Sequence, residues 1–315
     1  MKNRIIILLL FLFPLLTNSQ EKLFTETEVN IPTNSVTING TLLTPKSEEK
    51  VPLIIIIPGS GPTDRDGNNI TLKNNSLKYL SENLSSKKIA TYRFDKSVLS
   101  LTKDDKEKID SLTFDTFIDE AKSIIKYFKL SENYTKIIVA GHSQGSLVGI
   151  ISSKENVDGF ISIAGAGSSI DKILIEQIEK QAPFLKEDTE KVITELKKGY
   201  LVDEFNPMLV SLFNKQVQPF LISWMNYYPQ NELEKLTIPI LIINGTKDIQ
   251  VNITEAKLLH DSNANSQLFM IENMNHLFKE IKGDDTENMQ SYSNPNLPVM
   301  EELINIITTF VDEIK

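Results

Sequence analysis

The chain has 315 residues, a formal charge of −9 from 33 basic and 42 acidic side chains, three histidines and no cysteine. An acidic balance of this size lacks the basic footprint of a nucleic-acid binder. With no cysteine there is no disulfide, no thiolate nucleophile and no Cys-ligated metal cluster, and histidines at 142, 260 and 276 form no His-Glu-x-x-His pair, so neither metal nor other cofactor is expected.

The first element in the chain is a targeting segment. Lys2 and Arg4 precede an apolar run from Ile5 to Leu16, which Pro14 interrupts. Its 12 residues fall short of the roughly 20 needed to span a membrane and fit the roughly 7–15 of a signal-peptide core. Thr17 and Ser19 are small enough for the −3 and −1 positions, so residues 1–19 read as a signal peptide cleaved after Ser19. An uncleaved N-terminal anchor is the alternative, and a lipid anchor has no cysteine to carry it. Cleavage removes Lys2 and Arg4 and takes the charge from −9 to −11. The expected location is the periplasm or the medium, with no membrane span in the mature chain.

From residue 20 the chain reads as one domain. Leu23–Ile31 and Val36–Leu43 alternate in β fashion, and Asn39-Gly40 signals a turn or bulge. Leu53-Ile54-Ile55-Ile56-Ile57 is a continuous apolar run, as in a strand buried on both faces of a parallel sheet. Similar runs recur at 89–94, 136–140, 159–164, 238–243 and 267–271. Between them, Phe114, Phe117, Ile118, Ala121, Ile124, Ile125 and Phe128 mark one face of a helix, and a last helix is expected over Val299–Val311. Such alternation implies an α/β fold: a mostly parallel sheet with helices on both faces. Residues 170–236 carry only helical patterns and read as a helical lid inserted between two core strands. Lys282–Pro298, polar and turn-rich, reads as a surface loop.

The chemistry lies where strands end. The 136–140 run leads into Gly141-His142-Ser143-Gln144-Gly145 and then a helical segment. G-x-S-x-G alone is a weak signal. Between a buried strand and a helix it describes a nucleophile elbow, a sharp turn that lifts the serine hydroxyl out of the sheet.

These residues, with the Pro58–Gly67 loop, Arg93-Phe94-Asp95-Lys96, Tyr228-Pro229, Asn244–Val251 and Asn275-His276-Leu277-Phe278, make the chain resemble an α/β-hydrolase of an esterase-like, serine aminopeptidase-like branch. The resemblance runs from about Val51 to the C-terminus. It departs after Lys96, where Ser97-Val98-Leu99-Ser100 stands in place of the usual arginine and two glycines. The resemblance implies the α/β-hydrolase fold and hydrolysis of an ester or amide.

The residues point the same way on their own. A serine hydroxyl needs a histidine to take its proton and an acid to orient that histidine. His142 sits beside the serine with its side chain directed away, as a hydrogen-bonded support. His260 ends a helical stretch and reads as exposed. His276 follows the last strand and can reach over the sheet edge, so it is the candidate base. Asp248, following the 238–243 strand, is the candidate acid, and Asp171 is its rival. The order Ser143, Asp248, His276 is that of this fold. Two backbone N–H groups are needed for the oxyanion. Gln144 and Ser60 are the candidates. Asp64, Arg65 and Asp66 either bind a polar substrate group or tie their loop down, and ion pairing is the favoured reading. Phe220, Trp224, Met225, Tyr227 and Tyr228 form either a wall for the acyl group or, as favoured, the lid's own core. The expected activity is hydrolysis of small-molecule carboxylic esters through an acyl-enzyme. A peptidase or amidase with the same triad and a non-catalytic binding protein on this scaffold remain alternatives.

Overall fold

The computed structural model describes residues 22–34, 36–102 and 104–315; the expected signal peptide lies outside them. Its architecture grows from β3 (Leu53–Ile57), whose alternate side chains point to opposite faces of the sheet. Leu53, Ile55 and Ile57 join a cluster with Phe114, Ile118 and Ile124 of the Phe114–Ser131 helix and Leu147 of the Gln144–Ser152 helix. Ile54 and Ile56 join another with Leu77, Leu80 and Leu84 of the Ser76–Ser86 helix and Leu303, Ile307 and Phe310 of the C-terminal Glu301–Glu313 helix. Each buried isoleucine contributes about 1.5–3 kcal/mol, so this strand is anchored from both sides.

Around it lie β1 (Phe24–Pro32), β2 (Thr37–Pro45), β4 (Ala90–Phe94), β5 (Ile137–His142), β6 (Gly159–Ile163), β7 (Ile240–Gly245) and β8 (Ser266–Ile271). Among the described residues they form one sheet in the order β1-β2-β4-β3-β5-β6-β7-β8. β1 pairs antiparallel with β2 through a short connection, and β2 antiparallel with β4. From β4 through β8 every pairing is parallel, with helices in the crossovers that parallel pairing requires. Parallel alignment brings the carboxyl ends of β3, β5, β7 and β8 to one edge, where this class of fold places its sites.

Two sequence expectations need correction. Asn39-Gly40 makes neither turn nor bulge: Asn30↔Asn39 and Val29↔Gly40 pair in unbroken register. The glycine makes room for the Tyr92 ring, which a Cβ at position 40 would overlap and whose hydroxyl donates to Val29 O at 3.0 Å. The 282–298 segment is not only a surface loop. It holds a short helix, Asp285–Ser291, capped by the Asp284 carboxylate on the N–H groups of Thr286 and Glu287, and its Asn288 and Ser291 are buried.

Between β6 and β7 the chain inserts helices at Ile170–Gln181, Lys186–Lys197, Gln218–Met225 and Pro229–Leu233. Leu174, Val192, Ile193, Leu196, Phe213 and Leu221 give this insertion a core of its own. Among the described residues no helix is long and apolar enough to cross a membrane.

Candidate active site

β5 ends at His142 and the next helix starts at Gln144, leaving Ser143 alone in the turn with φ 54° and ψ −121°. Positive φ is costly for a side chain with a Cβ, about 1–3 kcal/mol, and persists where the surroundings enforce it. They do so here. Ser143 N–H donates to Ile163 O at 3.0 Å across to β6, and the helix passes so close to the loop after β3 that a Cβ on Gly145 would overlap the carbonyl oxygens of Ile57 and Pro58.

Asp248 and His276 meet three residues past β7 and five past β8. Asp248 Oδ2 lies 2.8 Å from His276 Nδ1, with the carboxylate fully buried and the imidazole 3% exposed. Asp248 Oδ1 accepts the N–H groups of Gln250 and Val251 at 2.8 and 2.9 Å. Both carboxylate oxygens are therefore committed, and the imidazole is left with Nε2 for proton exchange. The helix after this loop is capped by Asn252, not by Asp248. Asp171 lies in the insertion, paired with Lys197 at 2.6 Å. No hydrogen bond joins Ser143 Oγ to His276 among the described residues; such bonds are often long before substrate binds.

The other two histidines have separate tasks. His142 is buried with its Nε2 3.0 Å from His276 O, so Nε2 carries the proton, and the two rings lie 4.8 Å apart. Burial, with His276 nearby, pulls its pKa down to about 3, and the ring stays neutral. His260 is half-buried rather than exposed, with Nδ1 2.8 Å from Ser266 Oγ.

Ser60, Ser143 and Gln144 line one cavity of about 290 Å³ with Leu174, Trp224 and Val251. Neither Ser60 N–H nor Gln144 N–H donates to a protein acceptor among the described residues, and Gln144 opens a helix whose first N–H groups have no partner within it. The loop carrying Ser60 is pinned by the charges that follow. Arg65 grips Asp95 through Nη2–Oδ2 at 2.8 Å and reaches Glu28 at 2.5 Å, Arg93 Nε meets Asp66 Oδ1 at 3.0 Å, and Asp64 Oδ1 accepts the N–H groups of Asp66 and Asn68. All three charged residues of this loop thus have internal partners.

A second cavity, about 380 Å³, is also lined by Gln144, together with Lys96, Ile109, Leu112, Phe117 and Phe220. The aromatic residues of the insertion divide between tasks. Met225 belongs to the insertion's core. Trp224 stacks on Phe114 of the main domain with ring centres 5.2 Å apart and also faces the serine cavity, Phe220 packs on Phe117, and the Tyr227 hydroxyl donates to Asp115. Tyr228 is partly exposed, at 42%. The sequence could not divide the stripe, because its main-domain partners, Phe114, Asp115 and Phe117, lie a hundred residues away or more.

Three buried polar groups here had no role assigned from sequence: Asn275 and Lys96, which appeared only within motifs, and Asn288. Asn275 Nδ2 donates to Asn288 Oδ1 at 3.0 Å and Ser291 Oγ at 2.7 Å, and Asn288 Nδ2 donates to Lys247 O at 2.7 Å. The short helix thereby ties the His276 loop to the Asp248 loop, and its polar face, which read as solvent-exposed, turns inward. Lys96, the last residue before the departure from the expected loop, is buried with Nζ on Gly59 O and Gln144 Oε1. Among the described residues no group of three or more acidic or histidine side chains is placed to hold a metal ion.

No family model matches the chain. It is 25% identical over 272 residues to esterase EstD of Thermotoga maritima, covering 80% of this chain and 61% of that protein. Among solved structures it resembles Est1E of Butyrivibrio proteoclasticus, at TM-score 0.58 and 16% identity over 91% of this chain and 99% of that one; Est1E has also been solved with ferulic acid bound. It resembles Pyrococcus horikoshii acylaminoacyl peptidase at TM-score 0.56 and 12% identity, over 94% of this chain and 42% of that larger one. The chain has the α/β-hydrolase fold, and its resemblances lie with the esterase-like and serine peptidase-like members.

Proposed function

We propose that the protein is a serine hydrolase of carboxylic esters. The observation that carries this reading is the buried Asp248–His276 pair at 2.8 Å on the sheet edge that also presents Ser143 on a strained turn. In the proposed mechanism Ser143 Oγ attacks the ester carbonyl while His276 Nε2 takes its proton. Asp248 holds the imidazolium that forms and keeps Nδ1 protonated beforehand. The N–H groups of Ser60 and Gln144 stabilise the oxyanion. His276 then protonates the leaving alcohol, and water, activated by the same histidine, releases the acid. The 170–236 insertion acts as the lid, and the two cavities that Gln144 lines, about 290 and 380 Å³, suit an ester with small or medium acyl and alcohol groups.

Turnover of p-nitrophenyl acetate, ethyl ferulate and aminoacyl p-nitroanilides by wild type and Ser143→Ala tests this. Esters should be the preferred substrates, and Ser143→Ala should lower kcat on the order of 10⁶-fold. Preference for the anilides would move the enzyme to the amidase class. A wild type that neither turns over an ester nor forms a fluorophosphonate adduct at Ser143 would leave only a binding role.

A further inference from the structure

Lys96 closes β4, 6% exposed, with its ammonium inside the protein. Nζ donates to Gly59 O at 3.1 Å and to Gln144 Oε1 at 2.8 Å, and it lies 4.2 Å from the centre of the Phe117 ring. Those acceptors belong to two different segments, the loop after β3 and the first turn of the helix after β5. Gly59 O is the carbonyl of the peptide whose N–H belongs to Ser60, because the peptide unit is planar and shared between the two residues. A cation hydrogen-bonded to that oxygen fixes the plane and polarises the N–H at its far end. The other acceptor is the side chain of Gln144, whose own N–H is the second donor proposed for the oxyanion.

We infer that Lys96 is a positioning residue for acyl transfer: its ammonium spans the loop after β3 and the start of the helix after β5, sets the separation of the Ser60 and Gln144 N–H groups, and strengthens the Ser60 donor. This rests on the esterase reading. Stability alone gives no reason for an amine here. Burial disfavours its charged form and pulls its pKa down to about 7, with the buried Glu120 carboxylate acting in the opposite sense, and an apolar side chain of similar length would avoid that penalty.

Purified wild type, Ser143→Ala, Lys96→Met and Lys96→Cys are compared on p-nitrophenyl acetate. Deleting one oxyanion donor outright costs about 10²–10³-fold, and loosening two donors without deleting either should cost roughly 10–100-fold in kcat. KM should stay within about threefold, since ground-state contacts are kept, and the melting temperature should not fall. The chain has no native cysteine, so Lys96→Cys carries the only thiol. Aminoethylation of that thiol in denaturant, followed by refolding, rebuilds a lysine-like amine, and kcat should recover, whereas carbamidomethylation should not restore it. The inference is overturned if Lys96→Met keeps kcat within threefold of wild type, or if both alkylated forms of Lys96→Cys recover equally. Absence of Ser143-dependent turnover in wild type would overturn the esterase reading and this inference together; turnover that is Ser143-dependent and indifferent to Lys96 overturns only the second.

Discussion

Replacing Asp248 by asparagine isolates the tautomer question with little change in shape. The carboxylate is fully buried, and its Oδ1 accepts two backbone N–H groups, from Gln250 and Val251. An asparagine must place its carbonyl oxygen at that position, because its NH₂ facing two N–H groups would set donors against donors in a dry site. The amide nitrogen is then directed at His276 Nδ1, which must become an acceptor, and the ring proton moves to Nε2. A ring protonated at Nε2 cannot take the Ser143 proton. The expected fall in kcat is about 10⁴-fold, the magnitude seen when an orienting aspartate is amidated in this way, equivalent to about 5 kcal/mol of barrier. Steady-state hydrolysis of p-nitrophenyl acetate reads the rate, and near-ultraviolet circular dichroism checks that the variant stays folded. Asp171→Asn is the control: it alters the Lys197 pair in the insertion and should leave kcat within a few-fold of wild type. A folded Asp248→Asn enzyme retaining a tenth of wild-type activity, or an Asp171→Asn enzyme that loses it, would refute the assignment of the acid.

Two further outcomes follow from the buried groups around the site. Asn288→Ala removes the bridge between Asn275 and Lys247 and strands a buried donor on Asn275 and the partly buried Lys247 carbonyl. It should lower stability by about 2–3 kcal/mol in urea unfolding and reduce kcat about tenfold as His276 and Asp248 lose their common support; an unchanged urea midpoint would count against the bridge. His142 gives a pH signature. Its folded pKa of about 3 lies below the unfolded value near 6.5, so between these limits the unfolded chain binds more protons and stability falls as pH drops. By pH 4 this group alone should cost about 3 kcal/mol relative to pH 7. Urea unfolding of wild type and His142→Gln across that range should therefore converge toward acid pH, and parallel curves would contradict the buried neutral ring.

What could be read from the sequence was whatever a short window determines. The Leu53–Ile57 run specifies a strand buried on both faces, and each isoleucine is found on the expected alternation between the two helical layers. The elbow is equally local, since β5, Ser143 and the following helix occupy fifteen or so consecutive positions. With three histidines in the chain, position after a strand singled out His276, and His276 is the one that lies against Asp248. Gly40 misled because its signal is also local and ambiguous: the same pair that makes a hairpin turn makes space for an aromatic ring, and only Tyr92, fifty residues on, decides between them.

What holds the site is of the opposite kind. Lys96 reaches partners 37 and 48 positions away, Asn288 reaches back 13 and 41, and His142 meets a carbonyl 134 residues later. In a sequence Lys96 and Asn288 are ordinary polar residues whose usual place is in water, and His142 read as a hydrogen-bonded support with no partner to name. Apolar periodicity cannot reveal them, since it reports which side of an element is buried and not which polar atom finds a partner there. The division has a physical reason. A sheet is stabilised by area, which many similar side chains supply together and any of them can share. Loops at its carboxyl edge bury little area and carry backbone N–H and C=O groups that must be satisfied one by one. Their positions are therefore set by a few specific hydrogen bonds between distant residues. In this chain those bonds converge on the loops that carry Ser60, Gln144, Asp248 and His276. A substitution at Lys96, Asn288 or His142 should accordingly change turnover while leaving the sheet intact, whereas a substitution among the isoleucines of β3 should unfold both together.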